Sequence, residues 1–141
     1  MAAPPSIPST NQVADLIASG KSCAPNISAA GRRRRRRFAG ICIIAGVAAL
    51  VVSVATGAPW YCRVFLAIPG ALAAIGLLQA RRGTCVARAA EGTFEHDDFS
   101  KTKVSAAQAA RSRRAAAVIT RDTVLIGILC GGLAAATALL H

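Results

Sequence analysis

The side chains that could carry chemistry in this sequence are five cysteines and one acidic cluster with a histidine. The cluster consists of Glu91, Glu95, His96, Asp97 and Asp98, whose oxygens could bind a divalent cation weakly. Its spacing matches no EF-hand loop, and nearby lysines and arginines compete for the carboxylates. We therefore expect a solvated, charge-balanced loop, and we predict no metal site, no cofactor and no catalytic residue.

The cysteines are scattered along the chain rather than paired. None belongs to a C-x-x-C motif or lies close in sequence to a histidine, which argues against zinc, iron–sulfur and thioredoxin-like sites. Cys85 follows an apolar segment closely and is the candidate reactive or acylated thiol at a membrane surface. Cys62 is a second candidate thiol, on the opposite side of the membrane. Cys42 and Cys130 lie within apolar segments, where cysteine commonly acts as a small apolar residue.

Three uncharged segments must position these groups relative to a membrane. They run from Phe38 to about Ala58, from Val64 to Ala80 and from Thr123 to Leu140. About 20 apolar residues cross a hydrocarbon core, so the second segment is at the short end of the spanning range. Pro69 is expected to kink that segment. Because none of the three contains Asp, Glu, Lys, Arg or His, the sequence does not favour a proton relay or an ion-coupled transporter.

A run of six arginines directly precedes the first apolar segment, in a chain with 17 Lys+Arg, 6 Asp+Glu and a net charge of +11. The basic clusters flank apolar segments or lie between them, and aromatic residues are not interleaved with them. This pattern favours anionic lipid headgroups as the partner and argues against nucleic acid. The predicted membrane-anchoring residues are Arg32, Arg33, Arg34, Arg35, Arg36, Arg37, Trp60, Tyr61, Arg81 and Arg82.

The predicted fold is all-α: a multi-pass membrane protein with three transmembrane helices and a disordered N-terminal tail. Its predicted parts are a cytoplasmic tail (1–31), a basic flank with a helical hairpin (32–82), a basic connection with a helix (83–122) and a third span (123–141). The sequence leaves open whether the helix from Val104 to Thr120 lies on the membrane surface or continues the third span. A cleaved signal is the alternative for the first segment, but that segment is long for one and two more follow.

The distribution of basic residues predicts the orientation. Six arginines precede the first span and nine basic residues lie in the connection, whereas Arg63 alone lies between the first two spans. The positive-inside rule then places the N-terminus in the cytoplasm and the C-terminus outside, with a bacterial inner membrane as the expected location.

Three small residues lie on one face of the third segment. Gly127, Gly131 and Ala135 are spaced four apart, which lets a second helix approach closely. The partner helix belongs either to the same chain or to a second copy of it, and the sequence favours the same chain.

The first two spans also resemble a known type of membrane hairpin. Arg63, an apolar span containing Pro69 and the exit sequence from Gln79 to Cys85 resemble small bacterial inner-membrane hairpin segments of the YgaP type, over residues 37–86. The resemblance implies a membrane hairpin and supplies no catalytic residue. Val86 stands where that type usually has proline, and the rhodanese domain sometimes fused to such hairpins is absent from this sequence.

The function expected from these observations is an accessory or structural role, without enzymatic activity, in which the protein packs with membrane-protein partners or with itself. One alternative is a thiol-dependent membrane protein that uses Cys85 or Cys62. Another is a protomer of a small oligomeric channel or transporter, for which Ser53, Thr56 and Thr137 are the available polar positions.

Overall fold

The computed structural model describes residues 25–140 of the chain, and the side chains of residues 25–139. Residues 1–24 of the predicted tail lie outside this part. The elements are α1 (Ala29–Ala55), α2 (Trp60–Val64), α3 (Ala67–Arg82), α4 (Val86–Glu91), β1 (Thr93–Glu95), β2 (Lys101–Lys103) and α5 (Ala106–Ala136), followed by a 3-10 turn (Thr137–Leu140).

Three helical segments of the described chain are long and apolar enough to cross a membrane. They cover Ala29–Ala55, Trp60–Arg82 and Ala106–Leu139, and each contains one of the predicted apolar segments. The prediction of a mainly helical protein is confirmed, and so is the prediction of three helices with the length and apolar composition of membrane spans. The all-α class is incomplete, because the connection also forms a two-stranded antiparallel sheet.

The arginine run lies inside α1 rather than before it. Ser28 caps the helix by accepting a hydrogen bond from the Gly31 N–H at 3.2 Å, and arginine has a good helix propensity. As a result, α1 begins nine residues before Phe38, where the first span was predicted to start. At 1.5 Å per residue this adds about 14 Å of helix and fixes the arginines in a helical array.

The second span is interrupted before Pro69 rather than kinked at it. α2 ends at Val64 and α3 begins at Ala67, so Pro69 occupies the first turn of α3. Proline has no N–H and its ring clashes with the carbonyl four residues earlier, here that of Phe65. The first turn of a helix tolerates this, because its N–H groups have no partner within the helix. The predicted kink is therefore replaced by a break at residues 65–66.

The connection folds over the basic ends of the spans. Its strands pair antiparallel, with Thr93 opposite Lys103. Gly83 and Gly92 end α3 and α4 with φ values of 63° and 66°, the left-handed conformation that favours glycine after a helix. We call residues 25–28 together with residues 83–105 the cap.

The helix expected within the connection continues the third span without a break. α5 starts after Ser105, whose hydroxyl accepts a hydrogen bond from the Gln108 N–H at 3.3 Å, and it extends 31 residues. The stretch from Val104 to Thr120, left open by the sequence, therefore belongs almost entirely to α5. Its alanines carry the helix from the cap into the apolar segment.

α1 and α5 both pack on α3, which is the central helix of the bundle. The contact between α1 and α3 is close at Gly76, where an added Cβ would lie 2.9 Å from the Arg35 carbonyl oxygen. On the other helix pair, an added Cβ at Gly131 of α5 would lie 2.9 Å from the Ala67 Cβ. Glycine at these positions is what brings the helix backbones together.

Candidate functional site

The best-defined polar feature of the cap is a buried carboxylate between two arginines. The Glu95 side chain is 8% exposed, and its Oε2 accepts a hydrogen bond from Arg88 Nε at 3.1 Å. Arg35 Nη2 of α1 lies 3.6 Å from the same oxygen. We call these three residues the Glu95 cluster. It joins α1, α4 and β1, and it compensates the charge of a carboxylate that burial alone would disfavour.

A second buried contact connects the N-terminal segment to the end of α3. The Asn26 side chain donates from Nδ2 to the Cys85 carbonyl at 3.0 Å and accepts from the Cys85 N–H at 2.6 Å. Its backbone N–H donates to the Gly83 carbonyl, and its carbonyl accepts from the Glu95 N–H. Asn26 thus links the turn after α3 to β1.

Residues 25–31 were placed in the disordered tail by the sequence, and the structure differs there. Asn26 and Ile27 are 1% and 2% exposed, and Ile27 forms a parallel bridge with Glu95. The composition of this segment is small and polar, which is typical of disorder. Its partners lie about 60 residues further along the chain, so no local pattern could reveal the packing.

The acidic residues of the connection are occupied by neighbouring donors. The Ser28 hydroxyl and then the Ala30 N–H, which donates at 3.2 Å, lower the pKa of Asp97. The Ser100 hydroxyl and N–H lower the pKa of Asp98. Among the described residues, no group of three or more histidine, cysteine or acidic side chains is arranged to hold a metal ion.

Glu91 extends the ion pairing of the cap toward solvent. The Arg88 Nη1 donates to its carboxylate at 2.6 Å, which lowers the pKa of Glu91 and is the largest cause raising that of Arg88. Lys101 Nζ lies 3.5 Å from the same carboxylate. The acidic side chains of this loop are therefore neutralised by basic residues of the same loop, as expected for a solvated, charge-balanced loop.

Two of the six arginines of α1 contact the cap, and two others do not. Arg35 belongs to the Glu95 cluster and also donates from Nε to Gln79 at 2.8 Å, while Arg34 lies 3.9 Å above the Phe99 ring. Arg36 and Arg37 are exposed and make no hydrogen bond or ion pair with another described residue. Arg34 and Arg35 therefore join α1 to the cap, whereas the guanidinium groups of Arg36 and Arg37 remain exposed.

Arg63, which was expected in the connection between the first two spans, is a buried residue of α2. It is 2% exposed, and it donates from Nε to the Ala58 carbonyl at 2.9 Å and from Nη1 to the Thr137 hydroxyl at 2.7 Å. It thereby joins α2 to the end of α5. A single arginine between two apolar segments was the only available sequence signal, and it fits a loop equally well.

The aromatic pair lies at the same end of the bundle. Trp60 and Tyr61 are 61% and 58% exposed, with ring centroids 6.0 Å apart in an edge-to-face arrangement. Exposed amphipathic rings at the end of a span suit the headgroup level.

An apolar groove of about 820 Å³ lies between the three spans. We call it the intramembrane groove. α3 forms its floor, and α1 and α5 form its walls; representative lining residues are Gly70 and Ala73 of the floor, Gly46 and Val47 of α1, and Cys130 and Leu133 of α5.

One charged residue lines this groove, at the basic end. Arg81 is exposed and makes no hydrogen bond or ion pair with another described residue. Its neighbour Arg82 points elsewhere and lies 3.2 Å from Asp122 of α5. The two arginines predicted to anchor the second span thus have different roles.

The candidate thiols are placed very differently. Cys85 is 7% exposed and its backbone is held by Asn26, which argues against a reactive or acylated thiol. Cys62 is exposed on α2. Cys42 and Cys130 line the intramembrane groove, and all four are free thiols.

The small residues of α5 face α3 of the same chain. Gly127 and Gly131 are buried, and a Cβ at Gly127 would lie 3.0 Å from the Ala71 Cβ. Ala135, one turn further, is half-buried. Two of the three small residues that could support homo-oligomerisation are therefore already packed against α3 of the same chain.

Comparison with protein-family models, with curated proteins and with solved structures finds no match to this chain. The resemblance to YgaP-type hairpins therefore stays a prediction.

Proposed function

We propose that the protein is a small integral membrane protein with an accessory or structural role, packing with partners in the bilayer rather than catalysing a reaction. The observation that supports this is how its polar side chains are used. In the described part of the chain, the Glu95 cluster, the Asn26 contacts and the Arg63 hydrogen bonds all join one element of the protein to another. They hold the helices and the cap together, and none of them belongs to a cluster of reactive groups.

The geometry supports this role more than a channel or transporter protomer. The hydroxyls of Ser53 and Thr56 donate to carbonyls of their own helix, at 2.7 and 2.9 Å. The Thr137 hydroxyl is held by Arg63. All three polar positions that could line a pore are therefore satisfied within the chain. The thiol-dependent alternative is left with Cys62, because Cys85 is buried.

We further propose that the basic ends of the spans and the cap face the cytoplasm, in a bacterial inner membrane. The positive-inside rule supports this orientation. Cys62 should react with a membrane-impermeant maleimide in intact cells, whereas a Ser100→Cys variant lacking Cys62 should react only after lysis. Ser100 is suited to this test because it is exposed in the cap. Labelling of Ser100→Cys in intact cells would reverse the orientation.

The role itself is tested by affinity purification of the tagged full-length chain from native membranes. A membrane protein that is recovered in a fixed ratio, and is absent when an unrelated three-span protein carries the same tag, is the expected result. Turnover of a substrate by the purified chain alone would contradict the proposal.

A further inference from the structure

We propose that the intramembrane groove binds one acyl chain of an anionic phospholipid, whose phosphate contacts Arg81. The phospholipid comes from the leaflet at the basic ends of the spans. The groove lies between three membrane-spanning helices and is lined almost wholly by apolar atoms. The hydrocarbon region contains no water to fill it, so its occupant is an apolar chain.

The length of the groove fits a lipid of one leaflet. Its lining residues extend from Leu66, which directly precedes α3, to Arg81 of α3, a distance of about 22 Å at 1.5 Å per residue. One leaflet contributes about 15 Å to the hydrocarbon core. A chain that enters beside Arg81 therefore reaches the bilayer midplane within the groove.

The volume of the groove argues against a helix as the occupant. A helix 22 Å long and 10–12 Å in diameter occupies roughly 2,000 Å³, which exceeds the open space between the three spans. A second helix would remain largely outside, whereas an unbranched acyl chain is thin enough to lie between α1 and α5.

The charges at the mouth of the groove select the headgroup. Arg81 lines the groove and makes no ion pair with another described residue. Arg36 lies seven residues before Ile43, a residue of the α1 wall, and two helical turns place both on the same side of α1. The nearest carboxylate in sequence to the α5 wall, Asp122, is compensated by Arg82 and Arg121. Guanidinium groups bind phosphate through paired hydrogen bonds. Zwitterionic phospholipids carry this phosphate too, but their added cation is repelled by the arginines, so this mouth favours a lipid with a net negative charge.

The test is lipid titration of the delipidated full-length protein by native mass spectrometry, with dioleoyl-phosphatidylglycerol and dioleoyl-phosphatidylcholine as probes. We expect one phosphatidylglycerol to bind, about tenfold more tightly than phosphatidylcholine, because the basic mouth of the groove repels the choline cation. Arg81→Ala should remove most of this preference. The control is Arg114→Ala, an exposed arginine of α5 outside the groove lining, which should leave the preference unchanged.

A second pair of variants tests the acyl-chain site. Val47 and Val51 of α1 are one turn apart and 57% and 61% exposed, but only Val47 lines the groove. Val47→Trp should weaken both lipids severalfold, and Val51→Trp should weaken neither.

A third test uses the protein without substitutions and phosphatidylglycerol that carries a photoreactive diazirine in its acyl chain. This lipid should label Cys130 or Leu133, which line the groove. The proposal is overturned if the two lipids bind equally, or if the two variants of either pair have equal effects on binding. It is also overturned if labelling is confined to Ile44, on the exposed side of α1, or if the protein forms a dimer that binds no lipid.

Discussion

Asn26 and Cys85, which lie 59 positions apart in the chain, are joined by two hydrogen bonds. The Asn26 amide uses its donor and its acceptor on the same residue, so the turn after α3 is held in one orientation relative to the N-terminal segment. Both residues are nearly completely buried. The cap therefore depends on a side chain that sequence composition assigns to a disordered tail.

Asn26→Ala should destabilise the cap. The change leaves the Cys85 N–H buried without its acceptor, at a cost of roughly 1–3 kcal/mol, while the Cys85 carbonyl keeps its hydrogen bond from the Ala89 N–H. Thermal unfolding in detergent micelles should show the loss, and Cys85 should become reactive toward maleimide. Lys103→Ala, at an exposed position of β2, is the control and should change neither. If Cys85 reacts no faster in Asn26→Ala than in the unaltered protein, the Asn26 hydrogen bonds do not hold the turn after α3 in place.

Glu95→Gln should have a larger effect than Glu91→Gln. Glu95 is buried between two arginines, and removing one partner from a buried ion group costs roughly 3–5 kcal/mol. The Glu91 side chain is 46% exposed, where solvent screens an ion pair and leaves it little effect on stability. Denaturant unfolding of the two variants makes a matched comparison, because each loses one carboxylate charge beside Arg88. Equal destabilisation would show that burial of Glu95 does not matter.

The spans could be predicted from the sequence and the cap could not, for a physical reason. The apolar run from Phe38 onward is a local property, and its length alone indicates a membrane helix. The packing of Asn26 and the pairing of Arg35 with Glu95 depend on contacts between residues about 60 positions apart, which no local pattern encodes. Arg63 is an intermediate case. The sequence shows its charge between two apolar segments, but it does not show that the side chain is buried against Thr137.

Acidic pH should weaken the junction between α1 and the cap. The Ser28 hydroxyl and the Ala30 N–H hold the pKa of Asp97 below its ordinary value of 3.8. A lowered folded-state pKa stabilises the protein above the unfolded-state pKa, and this contribution is lost as pH falls through the folded-state value. Unfolding measured at pH 7 and near pH 3 should therefore show a smaller acid loss for Asp97→Asn than for the unaltered protein. Identical acid losses would exclude Asp97 as a source of the pH dependence.

Gly131→Ala should disturb the packing of α5 on α3, whereas Gly132→Ala should not. A Cβ at Gly131 would lie 2.9 Å from the Ala67 Cβ and 3.0 Å from the Val64 carbonyl oxygen, but a Cβ at Gly132 would meet open space. Overpacking of this kind costs roughly 1–3 kcal/mol, and the backbone contact cannot move aside easily. Thermal unfolding in micelles measures the difference, and size-exclusion chromatography reports the oligomeric state. A change in oligomeric state without loss of stability would assign this face to a second copy of the chain.

The hydrogen bond from Arg63 to Thr137 should contribute to stability by joining α2 to the C-terminal end of α5. A double-mutant cycle with Arg63→Met and Thr137→Val removes the polar groups with little change in volume. Because the donor is charged and the distance is 2.7 Å, we expect a coupling of roughly 1–3 kcal/mol in denaturant unfolding. The control cycle pairs Arg63→Met with Thr56→Val, whose hydroxyl bonds its own helix, and should give a coupling near zero. Additive effects in the first cycle would mean that Arg63 is held by the Ala58 carbonyl alone, and that α5 does not need this bond to stay packed against α2.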